Sequence, residues 1–384
     1  MTKYAEIVGW GKCLPSRVVT NHDLERTVDT SDEWIVSHTG IRERRVAEEG
    51  ETTVSMAASA ARAALSVAEL RPTDIDLIIV ATHSPDYHLP GAAPMVQHDL
   101  GATRAAAFDL RAGCPGFVYG LATGSQFIAS ETYQRVLVIG AEIISRFVNW
   151  KDRRTCVLFG DGAGAVVLES ADQATGVLSV SMGTKGADYD SLIYRAAGSV
   201  HPVTEEPFED SLRYLQMDGR RILRFATRTV GSAVRRELTK NGLLKEDIAL
   251  VIPQQSSLRF IEWISSKLGF PMEKVFVNVD RYANTSSASV AIALCEAFEE
   301  GRIQDGDNIL LLSFGAGLNW ASSLVRYGVA ETEPMSLLDA ASRPSISLEE
   351  LRHKVRVMAQ SGIAGITSVL DLLLLPFFSR GSKG

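Results

Sequence analysis

The chain has 384 residues, of which 46% are hydrophobic and 22% charged, a globular composition large enough for one large or two medium domains. Its formal net charge of -7 argues against bulk nucleic-acid binding, because that function needs concentrated positive potential. The four cysteines form no CxxC pair and no His/Cys cluster at metal-ligand spacing, which predicts reduced thiols, no metal site and a cytoplasmic location.

Strand-like apolar runs alternate with helical segments along the chain, the pattern of an α/β protein. The N-terminal stretch MTKYAEIVGWGKCLP lacks the basic and apolar regions of a secretory signal, so export is not expected. A helix-prone segment, TTVSMAASAARAALSVAEL, then leads to the strand-like DIDLIIVATHS. Cys114 opens the next predicted helix, and YQRVLVIGAE predicts the strand that follows it.

The second part of the chain repeats this order of predicted elements. The helical RRILRFATRTVGSAVRREL leads to the strand-like DIALVIPQQSS, Asn284 opens a helix of small residues, and GDNILLLSFGAG predicts a strand. When Asp74 is aligned with Asp247, the apolar residues of the two buried strands coincide. The order and the coincidence together predict two similar halves, residues 1–175 with the candidate nucleophile and residues 176–329.

Residues 330–384 are predicted to form an appendage to these halves. They begin with a polar connector, and Ser347 with Glu350 forms a capping-box pattern ahead of a helix. The apolar stretch from Gly362 to Phe378 is short and interrupted by a proline, so a packed tail helix or an interfacial segment is expected rather than a transmembrane span.

Cys114 is the candidate nucleophile because it lies in FDLRAGCPGFVYGLATG, where a strand-like run is followed by small residues and a helix. The dipole and free N–H groups of a helix N-terminus favour the nucleophilic thiolate, which predicts activation without a neighbouring base. The alternative is an inert buried thiol, the usual state of a free cysteine.

Five motifs extend this hypothesis beyond Cys114. They are AGCPGF, TSDEWIVSHTGIRERR, FGDGAGAVVLE, RYANTSSASVAIAL and FGAGLNWASSLVR. Together and in this order they resemble β-ketoacyl-acyl-carrier-protein synthase III, one of the thiolase-like condensing enzymes. The resemblance covers about Met1 to Val329 and implies an α/β thiolase-like fold, with two duplicated βαβαβ-type halves in a five-layered α-β-α-β-α arrangement, in a homodimer.

The resemblance also implies a reaction, an acyltransferase activity of fatty acid biosynthesis. The cysteine takes an acyl group from acyl-CoA, and malonyl-acyl carrier protein then loses carbon dioxide and attacks the acyl-enzyme to give a β-ketoacyl product. Cys114 falls on the nucleophile and Asn284 on the asparagine that stabilises the enolate. The backbone N–H groups of Cys114 and Ala316 would form the oxyanion hole. No cofactor is implied, because acyl-CoA is a substrate.

The coenzyme A contacts are implied by position. Trp34 falls where the family stacks an aromatic ring on the adenine, and Arg153 falls on a second nucleotide contact. Outside the motif TSDEWIVSHTGIRERR, a lone tryptophan would be more typical of a partly buried anchor than of a ligand contact. His38 replaces an arginine that is frequent in the family, and Arg220 replaces an asparagine near the pantetheine, so we expect these contacts to be altered. Leu89 matches a residue that reaches into the acyl tunnel of the partner subunit.

A stripe of arginines predicts a surface for acyl carrier protein. Arg220, Arg224 and Arg228 are four residues apart, on one face of a predicted helix, and Arg259 falls where the family contacts the carrier protein. A solvated basic face would have the same pattern. The stretch FGDGAG lacks the Lys-Ser/Thr of a phosphate-binding loop, so a backbone turn is expected there.

One motif departs from the family. The family motif Pro-His-Gln-Ala-Asn is Pro253, Gln254, Gln255, Ser256 and Ser257 here, which places Gln254 at the catalytic histidine. A side-chain amide donates hydrogen bonds but takes no proton at neutral pH. We therefore expect Gln254 to offer an N–H to the enolate in place of the imidazole, and Gln255 to be structural.

Three functions remain open from the sequence. The first is decarboxylative condensation, slowed by Gln254. The second is an acyltransferase or a condensing enzyme of specialised metabolism that uses the Cys114 acyl-enzyme without decarboxylation. The third is a weakly active subunit that binds acyl groups or a carrier protein, and the retention of Cys114, Asn284 and the Ala316 turn argues against it.

Overall fold

Two β-sheets with matching strand connections organise the protein, whose computed structural model describes residues 3–202 and 209–328. The strands are β1 (Tyr4–Cys13), β2 (Val18–Thr20), β3 (Glu43–Arg45), β4 (Leu77–Ala81), β5 (Ala106–Leu110), β6 (Arg135–Glu142), β7 (Gly162–Ala171), β8 (Gly176–Thr184), β9 (Leu192–Ile193), β10 (Gln216–Met217), β11 (Ile248–Pro253), β12 (Asn308–Gly315) and β13 (Asn319–Arg326). The helices are α1 (Asn21–Glu25), α2 (Asp32–Thr39), α3 (Thr53–Val67), α4 (Ala92–Leu100), α5 (Gly116–Ala129), α6 (Arg153–Cys156), α7 (Gly219–Asn241), α8 (Leu258–Leu268), α9 (Val279–Tyr282) and α10 (Ala288–Glu299).

The two sheets repeat one topology. The first has the order β1-β7-β6-β4-β5 and the second the order β11-β12-β13-β8. In the first, β4 is parallel to β6, and β7 is antiparallel to both β6 and β1. In the second, β11 is parallel to β12, and β13 is antiparallel to both β12 and β8. A parallel bridge from Val251 to Val275 lies where β5 pairs with β4 in the first sheet. The predicted duplication is therefore confirmed.

The buried strands explain why this repeat was visible in the sequence. All five residues of β4 are buried, as are five of the six of β11. Parallel strands covered on both faces have continuous apolar runs, because neither face meets water. The helices predicted before these strands correspond to α3 and α7, and the strands predicted after them correspond to β6 and β12.

Helices cover both sheets in five layers. The helices α3 and α4 pack on the outer face of the first sheet, and α7 and α8 on the outer face of the second. The helices α5 and α10 lie between the sheets, in a core that includes Phe117, Leu121, Leu294 and Leu311. This is the α-β-α-β-α arrangement that was predicted.

Two helix starts differ from the prediction. We expected Cys114 and Asn284 to open helices, but α5 begins at Gly116 and α10 at Ala288. The left-handed backbone of Ser286, with a φ of 53°, interrupts a helix that would start at Asn284. Both functional candidates therefore lie in turns that precede the helices of the central layer.

The predicted division at residue 175 stays a prediction, although β8, the first strand of the second sheet, begins at Gly176. The described residues, 3–202 and 209–328, belong to one compact unit. The predicted appendage at 330–384, with its capping box and apolar tail, lies outside the described residues. Among the described residues, no helix is long and apolar enough to cross a membrane.

Candidate active site

Four segments from the two halves meet between the sheets. Cys114 lies between β5 and α5, Gln254 directly follows β11, Asn284 precedes α10, and Ala316 directly follows β12. The hydroxyl of Ser286 bonds the Cys114 thiol, and the Ser286 backbone bonds both predicted amides. The structure thus brings together the four residues that were predicted to be catalytic.

Two glycines allow the close approach of Cys114 to the turn at Ala316. A Cβ atom on Gly315 would lie 2.7 Å from Cys114 Sγ, and a Cβ atom on Gly113 would lie 2.6 Å from the Ala316 carbonyl oxygen. Gly113 also has a φ of 69°, which an L side chain rarely adopts. Both positions therefore require glycine if the Ala316 N–H is to face the thiol.

The Cys114 thiol is protonated at neutral pH. Burial raises its pKa to about 11, because the thiolate would lose hydration, while the Ser286 hydroxyl and the backbone N–H groups of Cys114 and Ala316 act in the opposite direction. The negative charge of Glu142 raises the pKa further. The sequence predicted a thiolate favoured by the helix N-terminus, and that prediction is wrong for the free protein because burial outweighs the N–H donors.

The raised pKa predicts the pH dependence of Cys114 alkylation. The reactive thiolate is a small fraction of the thiol until the pH approaches the pKa of about 11, so the rate with iodoacetamide should rise about tenfold for each pH unit from neutral pH to about one unit below that pKa. Peptide mass spectrometry would follow Cys114 alone, with glutathione as the reference thiol under the same conditions. A rate that levels off near neutral pH would show that the thiol is activated in the free protein.

A directed chain of hydrogen bonds links Gln254 to Asn284. Gln254 Nε2 donates to Asn284 Oδ1 at 2.9 Å and to the Ser286 carbonyl oxygen at 3.1 Å. The Ser286 N–H also donates to Asn284 Oδ1, at 3.0 Å, and the Ser313 hydroxyl donates to Gln254 Oε1 at 2.7 Å. Among the described residues, Asn284 Nδ2 has no acceptor, so it is the donor left for a ligand.

Asn284 lies in a backbone turn that is hydrogen-bonded to the segment around Leu158 and Gly160. Ala283 and Ser286 on either side have φ values of 56° and 53°, in the left-handed region that non-glycine residues seldom occupy. The Asn284 N–H donates to the Leu158 carbonyl oxygen at 2.9 Å, and the Gly160 N–H donates to the Asn284 carbonyl oxygen at 3.2 Å. The FGDGAG stretch therefore serves here as a backbone support for Asn284.

Sequence reasoning missed Glu142, a fully buried carboxylate at the end of β6. It accepts hydrogen bonds from the hydroxyls of Ser84 at 2.6 Å, Ser287 at 3.0 Å and Ser286 at 3.2 Å, and from the His83 N–H at 3.1 Å. The sequence did contain an indication of it, because an acidic residue at the end of the apolar run RVLVIGAE would be buried and would need polar partners there. Glu142 orients the hydroxyl that contacts Cys114.

Gln255 agrees with its predicted structural role. Its Nε2 donates to the carbonyl oxygens of Pro253 at 2.9 Å and Phe276 at 3.1 Å, and its Oε1 accepts from the Asn278 N–H at 2.9 Å. These bonds join the end of β11 to the segment from Phe276 to Asn278. Only the first of the two glutamines faces Asn284.

A second group of predicted residues lies at the surface around Trp34. The imidazole of His38 stacks on the indole with ring centroids 4.4 Å apart, and the guanidinium carbon of Arg153 lies 5.1 Å from the indole centroid. Arg153 is held by the Asp29 carbonyl oxygen at 2.8 Å. Arg220, in the first turn of α7, is exposed, and among the described residues it makes no contact with Trp34 or Arg153.

The predicted partner-facing residues are exposed. Arg224 and Arg228 lie with Arg220 along α7, which confirms their shared helical face, and Arg259 lies on α8. Leu89 is 89% exposed, an unusual state for a leucine.

Comparison with known proteins places this arrangement in context. Family models described as 3-oxoacyl-[acyl-carrier-protein (ACP)] synthase III match residues 108–186 and, for the C-terminal part, residues 238–327. The chain is 49% identical to the beta-ketoacyl-[acyl-carrier-protein] synthase III of Roseiflexus sp. (strain RS-1), over 85% of this chain and 99% of the relative. It is 48% identical to that of Caldanaerobacter subterraneus subsp. tengcongensis, over 84% and 98%. The crystal structure of 3-oxoacyl-[acyl-carrier-protein] synthase III from Aquifex aeolicus VF5 is similar with a TM-score of 0.78 and 45% identity, covering 84% of this chain and 100% of that chain.

Proposed function

The chain belongs to the 3-oxoacyl-[acyl-carrier-protein] synthase III family, and we propose that it joins an acyl group from acyl-CoA to a malonyl group carried by acyl carrier protein. The observation that carries the proposal is the meeting of Cys114, the Ala316 turn and Asn284 in one buried site. The relatives favour this reaction over the two alternatives, transfer without decarboxylation and a weakly active binding subunit.

In the first half-reaction, the Cys114 sulfur attacks the acyl-CoA carbonyl carbon. A carbon–sulfur bond forms to Cys114, the bond to coenzyme A breaks, and the proton of the thiol leaves with the coenzyme A thiol. The backbone N–H groups of Cys114 and Ala316 lie close enough to the sulfur to lower the pKa of the thiol, and we assign them to the carbonyl oxygen that gains negative charge in this step. Fixed donors at this place stabilise the tetrahedral intermediate without reorganisation.

In the second half-reaction, the carbon–carbon bond to the malonyl carboxylate breaks and carbon dioxide leaves. The electron pair of that bond stays on the thioester and forms its enolate. Asn284 Nδ2 is free to donate to the enolate oxygen, because both contacts of its Oδ1 come from protein N–H groups. The enolate carbon then attacks the acyl thioester, the carbon–sulfur bond to Cys114 breaks, and the β-ketoacyl product remains on the carrier. The sulfur leaves as a thiolate and takes up one proton from water, which restores the thiol. Neither half-reaction needs a cofactor.

The nucleotide of coenzyme A is assigned to the surface group around Trp34. An aromatic ring with a guanidinium over its face binds a purine by stacking and by cation–π attraction. Trp34 and Arg153 supply this pair, and His38 extends the stack. Arg220, in the first turn of α7, is assigned to the same ligand.

Acyl carrier protein, an acidic partner, is assigned to the arginine face of α7. Arg224 and Arg228 have no acidic partner among the described residues, and they line a cleft of about 270 Å³ in which Lys185 and Arg221 are paired with Asp188. Exposed cations without an acidic partner steer an acidic protein to the site. Arg259 extends the face onto α8.

A homodimer is supported by the free edge of the first sheet. The strand β5 is at that edge, and no described strand pairs with its outer side. An unpaired strand edge is a template for pairing, and pairing of β5 with itself closes a two-fold dimer. The exposed Phe108 on β5 and the exposed Leu89 fit such an interface. A cytoplasmic location stays a prediction.

The proposal is tested by following the two half-reactions separately. The purified chain is incubated with a panel of short, medium and aromatic acyl-CoAs, and intact mass should rise by one acyl group on Cys114. Malonyl-acyl carrier protein is then added, and carbon dioxide and a β-ketoacyl product should appear together. Acylation without carbon dioxide would favour the transferase, and no adduct with any acyl-CoA would exclude both enzymatic functions.

A further inference from the structure

Ser313 contacts the candidate active site through Gln254. It lies on β12, immediately before the Phe314–Gly315 pair that leads into the Ala316 turn. Its side chain is 3% exposed, that of Gln254 is 1% exposed, and its hydroxyl donates to Gln254 Oε1 at 2.7 Å. Nothing in the sequence pattern distinguished this serine from the other small residues of its strand.

The surrounding groups determine which way the Gln254 amide points. The Ser286 N–H can only donate, so Asn284 must turn its Oδ1 towards it. Asn284 Oδ1 and the Ser286 carbonyl oxygen are both acceptors, so the NH₂ of Gln254 must face them. The oxygen of Gln254 then faces Ser313, whose hydroxyl satisfies it in a buried position.

We infer that Ser313 and Gln254 are positioning residues for decarboxylation, which hold Asn284 so that its Nδ2 donates to the malonyl thioester oxygen. This inference rests on the proposed function. Both hydrogens of Gln254 Nε2 are used within the protein, so Gln254 acts through Asn284 and does not donate to the substrate as an imidazole would. The bonds run in one direction from Ser313 through Gln254 to Asn284, and each polarises the next.

The experiment replaces Ser313 in the full chain and measures the two half-reactions separately. In Ser313→Ala, kcat for carbon dioxide release from malonyl-acyl carrier protein should fall about five- to tenfold, since one neutral hydrogen bond is lost. Acylation of Cys114 and the KM for the malonyl substrate should not change. Ser313→Thr keeps the hydroxyl and should recover most of the rate. Ser323→Ala, a buried serine of β13 that bonds a backbone carbonyl, is the matched control and should decarboxylate normally.

A double-mutant cycle shows whether Ser313 acts through Gln254. In a Gln254→Ala background, Ser313→Ala should cause no further loss, because its partner is already absent. Additive losses, an equal fall in acylation, or a Ser313→Ala rate at or above that of the wild type would each overturn the inference. In these cases wild-type activity would leave the proposed function intact. A wild-type protein that forms no acyl-enzyme or releases no carbon dioxide would remove the proposed function and this inference together.

Discussion

Replacing Cys114 with alanine is expected to abolish the acyl-enzyme and the β-ketoacyl product. No other described cysteine lies at the Ala316 turn: Cys156 lies in α6, and the Cys295 thiol, in α10, donates to the Gly11 carbonyl oxygen at 3.2 Å. Cys13 is only half-buried, but it lies on β1, away from the Ala316 turn. Intact mass after incubation with acyl-CoA measures the result.

The control for this experiment is Cys13→Ala, which should retain the full mass increase. Cys114→Ser supplies a second variant of nearly unchanged shape, in which a hydroxyl replaces the thiol. It should fold with the wild-type melting temperature and form little or no adduct, because a serine hydroxyl is a weak nucleophile without an adjacent base. An adduct of one acyl group that persists in both Cys114 variants would show that another residue is the nucleophile.

Replacing Asn284 with aspartate should lower the rate of decarboxylation by about 100- to 1000-fold, the range for loss of one oxyanion donor. One carboxylate oxygen still accepts from the Ser286 N–H and Gln254 Nε2, so the turn should keep its shape. The other replaces the free N–H with a negative charge, which opposes the enolate. Carbon dioxide release from malonyl-acyl carrier protein measures the effect.

Acylation of Cys114 distinguishes this effect from a general loss of structure, since the first half-reaction uses the backbone donors and should continue in Asn284→Asp. Asn308→Asp is the matched control. Asn308 is as buried as Asn284, at 9% exposure. It lies at the end of β12 that is far from the Ala316 turn, where it bonds Arg326 and the Asp247 carbonyl oxygen. Equal losses of decarboxylation in both variants would show that Asn284 has no special part in the reaction.

These two effects differ in what they report about the site. In the proposed reaction Cys114 forms a covalent bond, so its loss should remove the reaction, whereas Asn284 supplies one donor, so its loss should slow one step. The Ser313→Ala variant removes a hydrogen bond to Gln254, which itself contacts Asn284, so it has the smallest expected effect. The three together rank the residues by their distance from the reacting atoms.

The duplicated fold could be predicted because buried strands and their flanking helices leave a local signal. The continuous apolar runs of β4 and β11, with a helix before each, were enough to align the halves. The turns after the strands were predicted less well, since the helix starts at Gly116 and Ala288 depend on contacts that cross between the halves. Glu142 was missed because its partners come from two segments distant in sequence, one at Ser84 and the other at Ser286 and Ser287.

The sequence by itself determined the family, the two halves, and the identity of Cys114 and Asn284 as the residues at their centre, because motifs and apolar periods are local properties of the chain. Only the tertiary structure decided the state of the Cys114 thiol and the direction in which Gln254 donates. Burial raises the pKa of that thiol more than its N–H donors lower it. The donors and acceptors around Gln254 lie on Asn284, Ser286 and Ser313, between 30 and 59 residues away in sequence. Hydrogen-bond direction depends on which groups meet in space, and no local pattern records that.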